Sequence, residues 1–332
     1  MSLQSDFTVS EFQKPEPKRF EADIAHLMKM AEEDRMQFMR KVHSREMMMT
    51  VIGILIVVLG GSGFGWFLLV KADVLRALLC IVAAIIVPQF LHPWARGPLN
   101  AYIRNHKENF MPQMAKALGG LSFYPNRGIG EKVLRKTGIL PPYQRYTAED
   151  CFMGMYKGVK VIFSEARLYG KKKDKTVFQG VFALLETPAH MFDGLTIVSA
   201  DKRLVEIYAP TKWKKLQPIN IESGNLAHER FQVFSSNPGS AKLLVGEKLL
   251  KEFSEAANIF DNAALSAVFF GGKYLFIAIP YDKDMFEASN IHTPVLTKKH
   301  ANTCQKEIEQ LIEIVDVFDI YGKGASVNED AS

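Results

Sequence analysis

The sequence predicts an α+β domain of antiparallel hairpins packed on helices, preceded by a two-helix transmembrane hairpin. Residues 47–70 contain no ionisable side chain, and a second apolar run, residues 74–91, begins after a connection of only three residues. Further along, short apolar segments are separated by turn residues, which is typical of antiparallel strands. The remaining apolar positions recur with the 3.6-residue period of helices.

The two apolar runs are long enough to cross a bilayer. A helix rises about 1.5 Å per residue, so the first run exceeds the roughly 30 Å of hydrocarbon. The second is shorter but sufficient if Arg76 in its first turn extends its guanidinium to the headgroups. Trp66 and Trp94 are expected at the two interfaces. The alternative, a pair of buried core helices, is disfavoured because uncharged runs of this length are rare in soluble folds.

The distribution of basic residues predicts the orientation. The connection between the runs offers only Lys71 and Arg76, whereas both outer flanks are richer in basic residues: Lys29, Arg35, Arg40, Lys41, Arg45, Arg96, Arg104 and Lys107. The positive-inside rule therefore places both termini in the cytoplasm. Because 46 largely polar residues precede the first run, a cleaved signal peptide is not expected.

The soluble parts divide into an N-terminal segment, one domain and a tail. Residues 1–46 are predicted to be disordered at first and then an amphipathic helix, residues 95–322 to form one α+β domain, and residues 323–332 a tail. Apolar residues recur at helical spacing from Phe20 to Val42, although Arg35 interrupts them. This helix either binds a partner or the membrane surface, or is a solvated extension of the first span.

Charge and cysteine content exclude some classes of protein. The formal net charge is only +5 over 332 residues, and basic residues alternate with acidic ones, so nucleic-acid binding is not expected. The three cysteines, Cys80, Cys151 and Cys304, form no CxxC motif, which favours a reducing compartment without disulfides.

The domain is predicted to begin with a helix and continue with hairpins. Residues 101–118 have helical composition and end at a glycine pair. Strands are predicted at 151–156, 159–169, 176–185 and 195–199, with a tight turn at Lys157-Gly158 and a lysine-rich tip at residues 171–175.

The second half of the domain mixes helices with one clear hairpin. Ser240 is predicted to cap a helix that extends to Ala257. Residues 264–270 and 273–279 flank Gly271-Gly272, a two-residue turn that permits positive φ angles. A final amphipathic helix carries one apolar stripe: Cys304, Ile308, Leu311, Ile312, Val315 and Phe318.

The order of three motifs resembles a known family. FQGVF at 178–182, ERFQVF at 229–234 and KYLFIAI at 273–279 with Phe286-Glu287 follow the paired apolar runs. This arrangement resembles the bacterial family called domain of unknown function thirty-one thirty-seven, over roughly residues 100–320. The resemblance implies a bacterial inner-membrane protein with a cytoplasmic domain. It brings no assigned activity, so no catalytic residue is carried over.

The residues offer only weak catalytic signals. Residues 126–131 begin like a dinucleotide-binding turn, but the third glycine position is Val133. The histidines lack metal-ligand spacing, and Cys151, at a strand start, is expected to be a small buried hydrophobe rather than a nucleophile. Glu165 and Glu186 could form a carboxylate pair or simply face solvent. We therefore assign no catalytic, cofactor-binding or metal-binding residue.

Two non-catalytic features are retained as site predictions. Lys171, Lys172, Lys173 and Lys175 could contact an anionic membrane surface, or could form a solvated turn. Gly61 and Gly65 form a GxxxG motif that would let two copies of the first span pack closely.

These observations favour an integral inner-membrane protein that acts as a tethered binding or scaffold module. The expected partners are the lipid bilayer and a protein partner or second copy. The alternative is a membrane-associated enzyme acting on a lipid headgroup or small metabolite. Transport is less favoured, because two spans without buried charge cannot line a polar path unless they oligomerise.

Overall fold

The computed structural model describes residues 17–117, 119–172, 175–187, 190–221, 230–288, 290–294 and 299–318. The chain divides into two units. The hairpin unit comprises Ala25–Phe110 and Glu287–His300, and the sheet unit comprises Met1–Ile24, Met111–Phe286 and Ala301–Ser332. The predicted tail at 323–332 and most of the segment predicted to be disordered lie outside the described residues.

Two long helices dominate the N-terminal part of the chain. Helix α1, Pro17–Gly65, continues through a π-helical turn at Trp66–Val70. Helix α2, Val74–Asn105, is followed by a second π-helical turn at His106–Phe110. Asp73 is the N-cap of α2. Its carboxylate accepts the Arg76 backbone N–H at 3.1 Å, which satisfies an otherwise unpaired donor of the first turn. Both helices are long and apolar enough to cross a membrane.

The amphipathic segment is continuous with the first apolar run, and part of it is buried. Phe38, Met39 and Val42 pack in a small apolar cluster with Tyr102 and Ile291 in the hairpin unit. Through Ile291 and Ala288, this cluster packs a segment from the C-terminal part of the chain against both long helices.

The sequence suggested that Arg35 interrupts the apolar stripe, but in the structure Arg35 is part of the buried surface. It is itself buried, donates to both carboxylate oxygens of Glu32 at 2.9 and 2.6 Å, and donates to the Ile291 carbonyl at 2.6 Å. The hydrogen bond to Glu32 raises the pKa of Arg35, so this guanidinium stays charged.

The sheet unit is built on a nine-stranded antiparallel sheet of the order β1-β2-β3-β4-β9-β8-β5-β7-β6. Its long hairpins form because turn residues adopt positive φ angles, as at Lys157 (49°) and Gly158 (77°). The strands are β1 Ser122–Tyr124, β2 Arg145–Tyr156, β3 Val159–Tyr169, β4 Thr176–Glu186, β5 Thr196–Ser199, β6 Gln217–Ile219, β7 Gln232–Ser235, β8 Ser266–Phe270 and β9 Tyr274–Pro280.

Helices pack on both faces of this sheet. Those that lie within the described residues are α3 Met111–Ala117, α4 Glu131–Thr137, α5 Lys202–Tyr208, α6 Pro238–Leu244, α7 Glu247–Ile259 and α8 Lys299–Phe318. One face of the sheet carries Phe182 and Phe276 and is covered by α4 and α5 together with Trp213. On the other face, Phe253 of α7 contacts Phe231 and Phe269, and α8 buries its predicted stripe from Cys304 to Val315.

Three local predictions need correction. The helix expected to begin at Ser240 is two helices, and Asn237 caps the first by accepting the Ser240 N–H at 3.2 Å. Asn is favoured at helix N-caps because its side-chain oxygen reaches the N–H donors of the first turn. Phe270 pairs with Tyr274, so the glycine turn has three residues rather than two. The helix predicted at 101–118 is not separate, since residues 101–105 end α2.

Candidate functional site

The sheet unit carries an apolar groove of about 450 Å³, which we call the α5 groove. Its floor is made by β4, β9 and the start of β8, one wall by α5, and the other wall by the loop at residues 139–142. The volume falls within the range of about 300–1,000 Å³ that is usual for small-molecule sites.

The groove exists because small side chains follow large ones on this face. Phe182 and Phe276 fill the middle of the sheet face, and next to them lie Ala278 and Ser266, which are cross-strand partners. Side chains two residues apart on a strand share a face, so the step from Phe276 to Ala278 removes most of an aromatic ring from the same surface. The space that is left is the groove.

Hydrogen bonds hold the two walls together. The Tyr208 hydroxyl of α5 donates to the Leu140 carbonyl at 2.5 Å, and the Trp213 indole donates to the Gly138 carbonyl at 3.1 Å. Gly138 ends α4 with a φ of 69°, a left-handed conformation that favours glycine and turns the chain into the loop wall. Both walls are therefore formed without a ligand.

Several polar groups at the groove are already paired within the chain. The Ser266 hydroxyl on the floor lies 2.7 Å from the Ser199 hydroxyl, which accepts the Asp201 N–H at 3.1 Å. Asp201 caps α5 by accepting the N–H groups of Arg203 and Leu204. These bonds give the interior of the groove an apolar character, because the hydroxyls of Ser266 and Tyr208 do not need a ligand partner.

Two side chains at the mouth are exposed. Ile207 of α5 is 56% exposed, which is unusual for a large apolar side chain outside the two long helices. Arg203, also exposed, makes no ion pair with any described carboxylate. The groove thus combines an apolar body with a cation at its entrance.

The groove contains no arrangement typical of catalysis. Its carboxylate, Asp201, is used as a helix cap, and neither a histidine nor a cysteine lines it. Within the described residues, no group of three or more His, Cys, Asp or Glu side chains could hold a metal ion. The arrangement can bind a molecule, but it shows no acid–base pair to transform one.

A polar cleft lies on the opposite sheet face. Glu149 and Glu165 are direct cross-strand partners there, and Arg167 and Gln179 line the same cleft. Its volume is about 10 Å³, the space of roughly one water. Glu165 accepts the Met285 N–H at 2.6 Å, and Arg167 pairs with Asp284, so these side chains fasten the segment after β9 to the sheet.

The carboxylate pair suggested by the sequence does not form. Glu165 faces Glu149 on one side of the sheet, whereas Glu186 lies on the other side and pairs with Lys273 at 2.5 Å. Strand alternation explains the separation, because the register of β3 and β4 aligns Glu165 with Val181 and Lys160 with Glu186.

The buried cysteines are in environments that disfavour a nucleophile. Burial raises the pKa of the Cys151 thiol to about 12, and it does the same for Cys304. A thiol with this pKa stays protonated at neutral pH and lacks the reactive thiolate. Cys151 is the small buried hydrophobe that the sequence predicted.

The glycine-rich loop at 126–131 has a packing explanation. A Cβ on Gly128 would lie 2.2 Å from the Ala148 Cβ and 2.6 Å from the Tyr146 hydroxyl. Only glycine lets the loop lie this closely on β2. The helix that follows, α4, has seven residues, and its N-cap residue, Gly130, provides no side-chain hydrogen bond.

The predicted site residues fall in separate places. Lys171, Lys172 and Lys175 are exposed at the tip of the β3–β4 hairpin, and Lys173 lies outside the described residues. A Cβ on Gly61 or Gly65 would meet nothing within 4 Å, whereas Gly60 and Gly63 face Ala84 and Cys80 of α2. The glycines that hold the helices together are thus different from those of the GxxxG motif.

The α5 groove could not be predicted from the sequence. Its walls come from residues about sixty positions apart, and neither carries a chemical motif. The Pro141-Pro142 pair and the small residues at 264, 266 and 278 were the available signals, and each is common in unrelated loops and strands.

Comparison with known proteins supports the resemblance. Residues 176–320 match the family model described as "Protein of unknown function (DUF3137)". The match begins at β4 and extends two residues past the end of α8, so it is shorter than the predicted 100–320. No curated protein matches the chain.

Proposed function

We propose that this protein is a membrane-anchored binding module of the bacterial cytoplasmic membrane, with its hairpin in the bilayer, both termini cytoplasmic, and its ligand site in the α5 groove. The observation that carries the proposal is a groove of about 450 Å³ whose walls are fastened within the chain and whose lining offers no catalytic group. Such preformed apolar concavities are the default binding sites of proteins.

The anchor is supported by the exposure of the long helices. In the most apolar stretches of the two helices, 0% and 6% of the residues are buried, so these surfaces need an apolar solvent. The orientation is supported by the count of basic residues. The connection offers only Lys71 and Arg76, against several lysines and arginines on the outer flanks.

The test is affinity purification of the full-length protein from its native host in mild detergent, with mass spectrometry of both proteins and small molecules. We expect one near-stoichiometric companion that is lost in Ile207→Gln and retained in Leu243→Gln. Leu243 is a matched control because it is an exposed apolar residue on another helix, α6. Recovery of the protein alone, with turnover of a metabolite extract, would contradict the proposal and favour the enzyme alternative.

Point variants test a helical binding surface better than truncation does. Removing residues 1–42 would also remove Arg35 and Val42, which are buried in the hairpin unit. Replacing the exposed Met30 and Met36 by Gln leaves that packing in place. Loss of a protein companion in this variant would assign its binding to α1 instead of the groove.

Self-association through Gly61 and Gly65 stays a prediction, and the two glycine pairs offer its control. Gly61→Leu with Gly65→Leu should abolish a dimer in detergent while leaving the hairpin intact, since nothing lies near these positions. Gly60→Leu with Gly63→Leu should instead separate α1 from α2, because Ala84 and Cys80 occupy that space. Light scattering distinguishes the states, and a monomer in the unaltered protein would refute self-association.

A further inference from the structure

We infer that the α5 groove holds a single acyl chain, whose anionic head lies at the mouth beside Arg203 and the exposed lysines of the β3–β4 hairpin, Lys171, Lys172 and Lys175. The inference deepens the proposed function, because it rests on the groove being the binding site and names the class of ligand. The occupant is an anionic single-chain lipid, such as a fatty acid, drawn from the bilayer.

The lining selects a ligand body without hydrogen-bonding groups. Ser266 is paired with Ser199, and Tyr208 donates to the Leu140 carbonyl. A peptide or sugar in this groove would bury amide or hydroxyl groups beside Ser266 and Tyr208, whose hydrogen bonds are already made, and this is costly. A hydrocarbon chain leaves no polar group unpaired.

The shape fits an elongated body. The floor crosses three adjacent strands, β4, β9 and β8, from Phe178 to Ala264, while Ile207 and Pro142 stand on opposite walls. Ile207 and Pro142 are both exposed, and a chain between them would remove their apolar surface from water.

The charges at the mouth select an anionic head. Arg203 has no partner among the described carboxylates, and Lys175 directly precedes Thr176, which lines the groove. Lys171 and Lys172 are exposed in the same hairpin tip. The opposing carboxylate, Asp201, accepts two N–H groups of α5, so part of its charge is balanced by the helix N-terminus.

Photo-crosslinking tests this assignment in the intact protein. The full-length protein is reconstituted in nanodiscs of zwitterionic lipid and labelled with a long-chain fatty acid that carries a diazirine on its chain, and the labelled peptides are mapped by mass spectrometry. We expect labels on residues 139–142 and 201–208 that unlabelled oleate removes by competition. Ile207→Gln should weaken groove labelling about tenfold, since it replaces apolar surface with an amide, while Leu243→Gln should not change it.

A second variant tests the head group. Arg203→Gln should lower labelling by the fatty acid several-fold and leave labelling by the matching fatty alcohol unchanged, because only the acid carries a charge. The inference would be overturned if Arg203→Gln lowered labelling by both probes equally, or if Ile207→Gln left groove labelling unchanged. Labels on the hairpin helices test the membrane anchor separately. If these helices are labelled and the groove is not, the acyl-chain site is rejected and the anchor stands. If the hairpin helices are not labelled, the anchor is rejected.

Discussion

The two units use apolar side chains in opposite ways. In the sheet unit, Phe276 and Ile277 are fully buried between helices and strands, as in any soluble domain. In the hairpin unit, Leu69 is 83% exposed, and long rows of similar residues on α1 and α2 are uncovered as well. Exposed apolar surface of this extent marks a surface that a membrane or another protein covers. With the anchor proposed above, the difference teaches that one chain uses apolar side chains for two solvents.

The first way to sharpen this comparison is to truncate one apolar side chain in each unit. Phe276→Ala should lower the free energy of unfolding of the sheet unit by about 3–5 kcal/mol, since it removes a buried ring and leaves a cavity. Leu69→Ala should cost about 0.5 kcal/mol or less, because that side chain packs on little of the protein. Urea unfolding in nanodiscs followed by near-ultraviolet circular dichroism measures both, and equal costs would remove the distinction.

A charge in the middle of the first apolar run tests which solvent covers it. Val57→Arg should disfavour membrane insertion by about 2.5–3.5 kcal/mol, the cost of an arginine near the bilayer centre. Met30→Arg on the same helix is the control, because it lies outside the apolar run. The measurement is the membrane-bound fraction after an alkaline wash. An unchanged fraction for Val57→Arg would show that lipid does not cover this position.

Alkaline pH should destabilise the sheet unit through its buried thiols. Burial raises the pKa of Cys151 to about 12 from an ordinary value near 9, so the folded state retains a proton that the unfolded state loses. Stability is therefore fully present below pH 9 and falls as the pH rises towards 12. At pH 10 the loss is about 1.4 kcal/mol for this thiol. Cys151→Val should flatten the pH dependence by this amount, and an unaltered profile would contradict the burial effect.

Local patterns predicted the hairpins and helices well, whereas long-range arrangement was out of reach. The glycine turn at 271–272 and the Lys157-Gly158 turn are each determined by a few neighbouring residues. The pairing of β4 with β9, about a hundred residues further along, depends on packing that no local pattern records. The burial of Arg35 was missed for the same reason, since one of its partners, Ile291, is 256 residues away.

The candidate site was harder to predict than the fold. The lysines at 171, 172 and 175 are visible in the sequence, and they are exposed as a charged turn should be. The groove beside Thr176 arises only when α5 and the loop at 139–142 meet over Ala278. An alanine that follows a phenylalanine on a strand carries no signal until its neighbours in space are known.

The most direct test of the two-solvent interpretation is the topology of the hairpin in intact cells. Cys80 is replaced by Ala, the buried Cys151 and Cys304 are kept, and one new cysteine at a time is placed at Ser44, in the connection at Ala72 or at Arg96. Each variant is probed with a membrane-impermeant maleimide that reaches only the outer face of the cytoplasmic membrane, and the variant without a new cysteine is the control. If α1 and α2 both span the bilayer, only the cysteine at position 72 is labelled. Labelling of all three positions, or of none before the cells are opened, would contradict a membrane hairpin with both ends in the cytoplasm.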